Sequence, residues 1–270
     1  MKTNHALRNT IIIVFVALVV SFPVIKTSAQ FFLDKTKKPS EVALTDLAKI
    51  TDNRSNQIIE HLGYTVSYNT LWHVPNWVAY QLTKAETYGD VPRANTFYAD
   101  PQAHGVVIST SDYKNSGYDR GHMAPAADMK WSRQAMAESF YLSNVCPQNH
   151  TLNSGDWREL EERVRLYAQW YGELFVVCGP IVSENAPTIG YNNIVVPESF
   201  FKVLLRKTDA GYEAIGFVFK NQAGNKSLSS YVVSVDSAEK LSGIDFFGFL
   251  PDNVENKIEG IFSLASWKLQ

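Results

Sequence analysis

Residues 118–125 read Tyr-Asp-Arg-Gly-His-Met-Ala-Pro, and this stretch decides how the 270-residue chain is interpreted. Within four residues it offers a carboxylate (Asp119), a permanent cation (Arg120) and an imidazole (His122). A neutral imidazole accepts a proton near neutral pH, and a guanidinium matches phosphate oxygens with its forked donors. Gly121 between them adopts backbone angles that other residues resist. The stretch therefore predicts a phosphate site in which His122 is the general base, while Asp119 either takes part or only forms the turn.

Two residues further along the chain point to a metal ion. Asn153 precedes a helical pattern over residues 156–171, and its amide either caps that helix or ligates a hard divalent cation. Glu161 follows eight residues later, which corresponds to a rotation of about 80° along a continuous helix. On that basis Asn153 and Glu161 are expected to share one face and one ion, with Glu161 in its outer shell.

Two further polar residues are candidates for substrate contacts. Asn144 follows an apolar stretch, and its amide is expected either to form a turn or to bond the His122 ring or the phosphate. Arg93 lies in a loop-rich region and is either a second phosphate clamp or an ordinary surface arginine.

The two cysteines, Cys146 and Cys178, allow more than one reading. Together with His104 and His150 they offer zinc ligands, but the chain lacks a Cys-x-x-Cys or His-Glu-x-x-His pair, which disfavours a zinc site. In an exported protein they could form a disulfide, and two buried thiols are equally compatible with their apolar surroundings.

The N-terminus has the pattern of an export signal. Lys2 and Arg8 precede an apolar run over residues 11–20, and Ala29 closes a segment of small residues suited to cleavage. The run is short for a membrane anchor, which needs roughly 20 apolar residues. The sequence thus predicts a signal peptide over residues 1–29, a secreted or periplasmic protein, and no membrane association after cleavage.

The net charge argues against a broadly basic nucleic-acid-binding surface. Removing residues 1–29 would take away three cations and no acid, which changes the formal charge from −2 to −5. Any site for a polyanion must therefore be local.

The pattern of apolar residues predicts an α+β fold with a mixed or antiparallel sheet in a single compact domain. We expect a tail and short helix over residues 30–59, followed by the domain over residues 60–270. Helices are predicted over residues 132–140 and 156–171 and from Asp236, with a turn over 149–155. Strands are predicted over residues 64–68, 77–82, 141–145, 174–178, 200–205, 214–219 and 230–235.

Three segments together resemble the DNA/RNA non-specific endonucleases, the endonuclease G-like group of ββα-metal (His–metal finger) nucleases. They are residues 119–125 (DRGHMAP), 143–148 (SNVCPQ) and 152–161 (LNSGDWRELE). Upstream, residues 75–80 (PNWVAY) and Arg93, Phe97 and Asp100 are also similar to that family. The resemblance covers roughly residues 60–260 and implies a ββα-metal finger motif.

The resemblance also implies roles for six residues. They are the general base (His122), the one direct protein ligand of Mg²⁺ (Asn153), the acid in the outer shell of the metal (Glu161), two phosphate-binding arginines (Arg93 and Arg120) and an active-site amide (Asn144). Mn²⁺ is an alternative ion.

The function implied is that of an exported, metal-dependent endonuclease that cleaves DNA and RNA with little sequence preference. Two alternatives stay open: a catalytically silent secreted nucleic-acid-binding protein, and a phosphodiesterase for small nucleotides. A homodimer and an inhibitor protein are further partners that the sequence leaves open.

Overall fold

A computed structural model of the protein describes residues 42–269. The expected signal peptide and most of the expected N-terminal tail lie outside these residues. Within them, none of the helices has the length and apolar character needed to cross a membrane.

The described chain contains thirteen strands and six α-helices. The strands are β1 Ala48–Ile50, β2 Gln57–Glu60, β3 Thr65–Asn69, β4 Val74–Thr83, β5 Asp119–His122, β6 Val145–Gln148, β7 Glu173–Ile181, β8 Thr188–Ile189, β9 Ile194–Val195, β10 Ser199–Thr208, β11 Gly211–Lys220, β12 Val232–Val233 and β13 Ile244–Phe246. The helices are α1 Thr110–Tyr113, α2 Arg133–Glu138, α3 His150–Ser154, α4 Asp156–Tyr171, α5 Val235–Ser242 and α6 Asp252–Gly260.

Seven strands form the central sheet in the order β12-β11-β10-β7-β4-β3-β2. Every neighbouring pair in it is antiparallel. Three small antiparallel pairs, β1-β13, β5-β6 and β8-β9, lie outside it. The fold class is therefore α+β with antiparallel pairing, as predicted.

Both faces of the central sheet are buried, and the alternation of side chains in β7 shows how. Val176 and Cys178 belong to a core that also contains residues of α4, whereas Phe175 and Val177 belong to a second core that contains residues of α5 and α6. Successive side chains of a strand point to opposite faces, so the continuous apolar run in β7 serves two layers. We call these the α4 face and the α5 face.

The folded region begins earlier than residue 60, where the sequence placed the start of the domain. Leu47 and Ala48 are buried in the core of the α5 face, and β1 pairs with β13 near the other end of the chain. The predicted short helix before them is a single 3-10 turn, Leu44–Leu47. This segment closes the α5 face.

The predicted elements around the deciding stretch are largely correct. α4 has the predicted bounds, and α2 is capped by Ser132, whose side chain accepts a hydrogen bond from the amide of Ala135. The expected turn at residues 149–155 instead contains α3, because the Asn149 side chain caps it by accepting bonds from the amides of Thr151 and Leu152.

Three other predictions are corrected. Residues 141–145 contain a 3-10 turn, Leu142–Asn144, before β6 begins. Residues 230–235 hold only the two-residue strand β12. α5 begins at Val235 and is capped by Ser234, whose side chain accepts a hydrogen bond from the amide of Ser237. Asp236, the predicted start, therefore lies inside the helix.

Candidate active site

Within residues 118–125, Asp119–His122 form β5, which pairs with β6 in antiparallel register. Helices α3 and α4 follow β6 in the chain. Arg120 lies opposite Pro147, and His122 lies opposite Val145. Gly121 is required at this point, because a Cβ atom there would lie 2.1 Å from Oε1 of Gln148. Two strands and a helix are thus brought together as a ββα unit, with His122 at the end of β5.

The backbone after His122 is fixed by Asn144. The amide Oδ1 of Asn144 accepts a hydrogen bond from the Ala124 amide at 2.9 Å, and Nδ2 donates to the carbonyls of Ala124 and Ser139. The expected hydrogen bond from Asn144 to the imidazole ring is not formed, because three backbone groups occupy this fully buried side chain. Asn144 therefore holds in place the backbone that follows His122.

Two phenylalanines enclose the imidazole ring. The ring centroid of His122 lies 5.1 Å from that of Phe97 and 4.9 Å from that of Phe140. The same two rings carry the candidate phosphate-binding arginines: the Arg120 guanidinium lies 4.7 Å from the Phe97 centroid, and that of Arg93 lies 5.1 Å from the Phe140 centroid. One aromatic pair thus orients the base and both cations.

The environment of His122 keeps its imidazole neutral. Burial, together with the positive charges of Arg93 and Arg120, lowers the pKa of His122 to about 3. Its Nε2 is buried and has no hydrogen-bond partner in the described part of the chain. An unpaired buried nitrogen calls for an explanation, and a catalytic role is one of those known.

Asn153 is positioned by Asp119. Nδ2 of Asn153 donates to Oδ2 of Asp119 at 2.8 Å, and Nδ1 of His150 lies 2.9 Å from the same oxygen. This bond directs the amide so that Oδ1 of Asn153 is free of hydrogen bonds from residues 42–269. Asp119 therefore supports the site by orienting a neighbour.

The helical-face argument that linked Asn153 to Glu161 does not apply. Asn153 belongs to α3 and Glu161 to α4, and Gly155 separates the two helices with φ −112° and ψ −110°. A Cβ atom on Gly155 would lie 2.5 Å from the carbonyl oxygen of Thr151, so the break depends on glycine. The rotation of 100° per residue holds only within one helix.

Glu161 lies in a group of charged side chains on the α4 face. Burial raises its pKa to about 7, the nearby carboxylate of Asp128 acts in the same direction, and the positive charges of Lys202, Arg165 and Arg93 oppose the rise. Arg165 donates to Oδ1 of Asp128 at 2.8 Å. Glu161 is therefore a carboxylate poised near neutrality.

Arg93, Arg120, Asp119 and Asn153 line one open groove. Its volume is about 610 Å³. The other lining residues are Phe97, Thr110, Ser111, Tyr113, Lys114 and Tyr118. Three of the lining side chains are cationic and one is acidic, so a mildly acidic protein presents a locally basic groove.

A model of the DNA/RNA non-specific endonuclease family matches residues 46–253. The chain belongs to this family. The match covers the sheet, the ββα unit and both arginines of the groove. It also begins at Asp46, before residue 60, in agreement with the early start of the fold.

Individual relatives that are named as nucleases agree with the family assignment. Mouse mitochondrial nuclease EXOG is 37% identical over 227 residues, which are 77% of this chain and 61% of EXOG. This chain thus spans about three fifths of that relative. Human mitochondrial endonuclease G is 33% identical over 205 residues, 70% of this chain and 69% of the relative. Nuclease C1 of Cunninghamella echinulata is 34% identical and is covered over 83% of its length.

A solved structure shares the endonuclease fold. The match is a chain of the EndoG/EndoGI complex, with a TM-score of 0.71 and 26% identity, and it covers 80% of this chain and 96% of that chain.

The residues of this site fit a hard divalent cation. Oδ1 of Asn153 is a neutral oxygen donor without a hydrogen bond from residues 42–269, and it belongs to a groove that also contains the Asp119 carboxylate. In contrast, the thiols and imidazoles considered for zinc form no ligand group among the described residues. Cys146 and Cys178 are both free and buried, so the structure contains no disulfide between them.

Sequence reasoning missed three charged residues that surround Glu161: Asp128, Arg165 and Lys202. Lys202 is fully buried, and its Nζ lies 4.4 Å from the ring centroid of Trp157. The sequence did indicate Lys202, because it lies inside the apolar run of β10 and a lysine is rarely buried unless it is paired with another group. Arg165 and Asp128 gave no comparable signal, since they are ordinary residues in their local sequence.

Proposed function

We propose that this protein is a metal-dependent endonuclease that hydrolyses phosphodiester bonds of DNA and RNA with little sequence preference. The observation that carries the proposal is the shared aromatic support of His122, Arg93 and Arg120, which sets a base beside two phosphate-binding cations. Family membership supports the same chemistry.

Arg93 and Arg120 bind the phosphate in this proposal. Their guanidinium groups donate to its non-bridging oxygens and offset the charge that develops in the transition state. Contacts of this kind fix the position of the substrate backbone and carry no information about its base sequence.

His122 removes the proton from the attacking water. Its imidazole is neutral at physiological pH because its pKa lies near 3, but such a low pKa also makes it a weak base. A bound phosphate would offset the charges of Arg93 and Arg120, two of the causes of that low pKa. Substrate binding would therefore raise the pKa of His122 by the part that these two charges cause, while the part due to burial remains.

Asn153 holds the proposed ion, Mg²⁺ or alternatively Mn²⁺, through Oδ1, while Asp119 keeps the amide in that orientation. The ion would offset negative charge on the phosphate and on the leaving oxygen. Glu161, which lies in the field of the groove residue Arg93, would accept hydrogen bonds in the outer shell of the ion. Asn144 acts indirectly, since its three backbone contacts hold the chain that follows His122.

The first test replaces His122 by alanine and measures digestion of plasmid DNA and of RNA. We expect a loss of about 10²–10⁴-fold in rate, the usual contribution of a general base. His104→Ala is the matched control, because that histidine is exposed and lies outside the ββα unit. A His122→Ala protein that is folded and digests both substrates at the wild-type rate would refute the assignment.

The second test concerns the metal ion. Cleavage should stop in EDTA and return with Mg²⁺ or Mn²⁺, and Asn153→Ala should need a much higher ion concentration for half-maximal rate. Absence of metal-dependent cleavage would favour a silent nucleic-acid-binding protein. Cleavage of short model diesters without cleavage of long DNA or RNA would favour a small-nucleotide phosphodiesterase.

Export is a separate part of the proposal and rests on the N-terminal pattern of residues 1–29. The printed names of EXOG and endonuclease G describe those relatives as mitochondrial. Mass analysis of the mature N-terminus tests the point, and a chain that retains residue 1 would contradict cleavage after Ala29. Homodimer formation and a protein inhibitor are further proposals; the related EndoG chain was solved with EndoGI.

A further inference from the structure

A second group of carboxylates lies far from the groove in the fold, on the α5 face. Asp236 and Glu239 are one turn apart on α5, and Glu259 lies near the end of α6. One carboxylate oxygen of each lies within 4.8 Å of the others. Three acids from two helices therefore converge on one point.

Glu259 distinguishes this group from an ordinary acidic surface. The residue is only 6% exposed, and its Oε1 is buried with no hydrogen-bond partner among residues 42–269. A buried carboxylate oxygen without a protein donor is costly, since no hydrogen bond from the chain compensates for its lost hydration. Glu239 is partly satisfied, because one of its oxygens accepts from the Phe246 amide at 2.8 Å.

The described chain supplies no positive charge to this group. Among residues 42–269, no Lys, Arg or His nitrogen forms an ion pair with Asp236, Glu239 or Glu259. Two more acids, Asp245 and Glu255, add to the negative field: burial and the neighbouring carboxylates raise the pKa of Glu239 to about 7 and that of Glu259 to about 8. The group thus has ligands for a cation and lacks one of its own.

We propose that Asp236, Glu239 and Glu259 bind a calcium ion that joins α5 to α6. Carboxylate oxygens are preferred ligands of hard cations, and Ca²⁺ accepts them at about 2.3–2.6 Å in a flexible shell of six to eight oxygens. Oxygens on opposite sides of such an ion are up to about 5 Å apart, a span that covers the observed separations. The smaller Mg²⁺ requires a tighter octahedron, so Ca²⁺ fits better.

The calcium site and the proposed catalytic ion are separate. Asn153 belongs to α3, next to the groove, while α5 and α6 pack on the opposite face of the central sheet. The calcium ion therefore has a structural role: three acids from two helices hold it, so that it ties α5 to α6. Nuclease turnover in Mg²⁺ does not depend on it.

The test is thermal unfolding of the full-length protein, first freed of metal with EDTA and then titrated with CaCl₂. At a calcium concentration about 100-fold above Kd we expect Tm to rise by roughly 5–10 °C in the wild type. Glu259→Gln and Asp236→Asn should lose most of this rise. Both variants keep side-chain shape and remove a repelling charge, so both should fold in EDTA at least as well as the wild type.

Asn153→Ala serves as the control for binding at the catalytic site, and it should keep the full calcium-dependent rise. A wild type that calcium does not stabilise would overturn the proposal. So would an equal rise in Glu259→Gln and Asp236→Asn, or a rise abolished by Asn153→Ala. The nuclease rate of Glu259→Gln in Mg²⁺ should equal that of the wild type, which keeps this test independent of the catalytic assignment.

Discussion

Buried carboxylates occur on both faces of the central sheet, and the protein treats them differently. On the α4 face, Asp128 is fully buried, receives a hydrogen bond from Arg165 and another from the hydroxyl of Tyr80, and lies in the field of Lys202. On the α5 face, Glu259 is almost as buried, yet its Oε1 has no partner among the described residues.

The difference shows two ways to keep negative charge inside a fold. Where chemistry is proposed, the chain provides its own cations, and these hold the buried carboxylates in place. On the other face the negative charge is left open, so the stability of that face depends on pH and on dissolved cations. Two of the variants below remove a cation that stabilises carboxylates on the α4 face. A third removes an acid that destabilises the α5 face.

Breaking the Asp128–Arg165 pair should have the largest effect. Arg165→Met leaves Asp128 buried without its main charge partner, and such a loss costs about 3–5 kcal/mol. Urea unfolding followed by circular dichroism measures the change. Adding Asp128→Asn to Arg165→Met should restore much of the loss, because the uncompensated charge disappears. If Arg165→Met lowered the free energy of unfolding by less than about 1 kcal/mol, Arg165 would not be needed to compensate Asp128, and the two faces would not differ in this respect.

The sequence predicted the parts of this molecule that depend on local pattern. The alternation and β-branched runs located the long strands, and the serine cap and helical spacing located α2 and α4. The motif around His122 predicted which residues gather at the groove, since β5, β6 and α3 are close in sequence. These features depend on neighbours within a few tens of residues.

Other features depended on contacts that the sequence does not show. The break at Gly155 separates two helices that the spacing of Asn153 and Glu161 had joined into one. The free state of Cys146 and Cys178 depends on how β6 and β7 pack. The early start of the domain depends on pairing between β1 and β13, almost 200 residues apart, for which no local pattern exists.

Removing Lys202 should have an intermediate effect that appears in the pH profile. The positive charge of Lys202 lowers the pKa of Glu161, which burial raises to about 7. In Lys202→Met that pKa should rise further, so a reaction that needs the ionised carboxylate loses rate at a higher pH than in the wild type. We expect the acid limb of the rate profile to move up by about one pH unit, equal to about 1.4 kcal/mol.

The matched control is Lys207→Met, since Lys207 lies on the same strand and is exposed. It should leave the profile in place. If Lys202 has only a packing role, Lys202→Met would lower the rate equally at all pH values, and its profile would keep the wild-type shape.

The smallest effect is expected on the α5 face, and it has the opposite sign. The pKa of Glu259 is raised to about 8 in the folded protein from an ordinary value of 4.5. Between these values the folded state retains a proton that the unfolded chain has lost, so in EDTA stability should fall as the pH rises from about 4.5 to about 8. Glu259→Gln cannot ionise, so it avoids the several kcal/mol that linkage assigns to this shift at pH 8. Its amide is left buried without a hydrogen-bond partner, which offsets most of that gain, and we expect it to be more stable than the wild type by about 1 kcal/mol.

At pH 4.5 Glu259→Gln should lose this advantage over the wild type, because Glu259 is then protonated in the folded wild type. Glu184→Gln, a change at an exposed acid, should show no such pH-dependent gain. A Glu259→Gln protein that is less stable than the wild type at pH 8 in EDTA would mean that a positive group of the chain already compensates the carboxylate. Carboxylates on both faces would then be compensated by cations of the chain itself, and the acids of the α5 face would not need a dissolved cation.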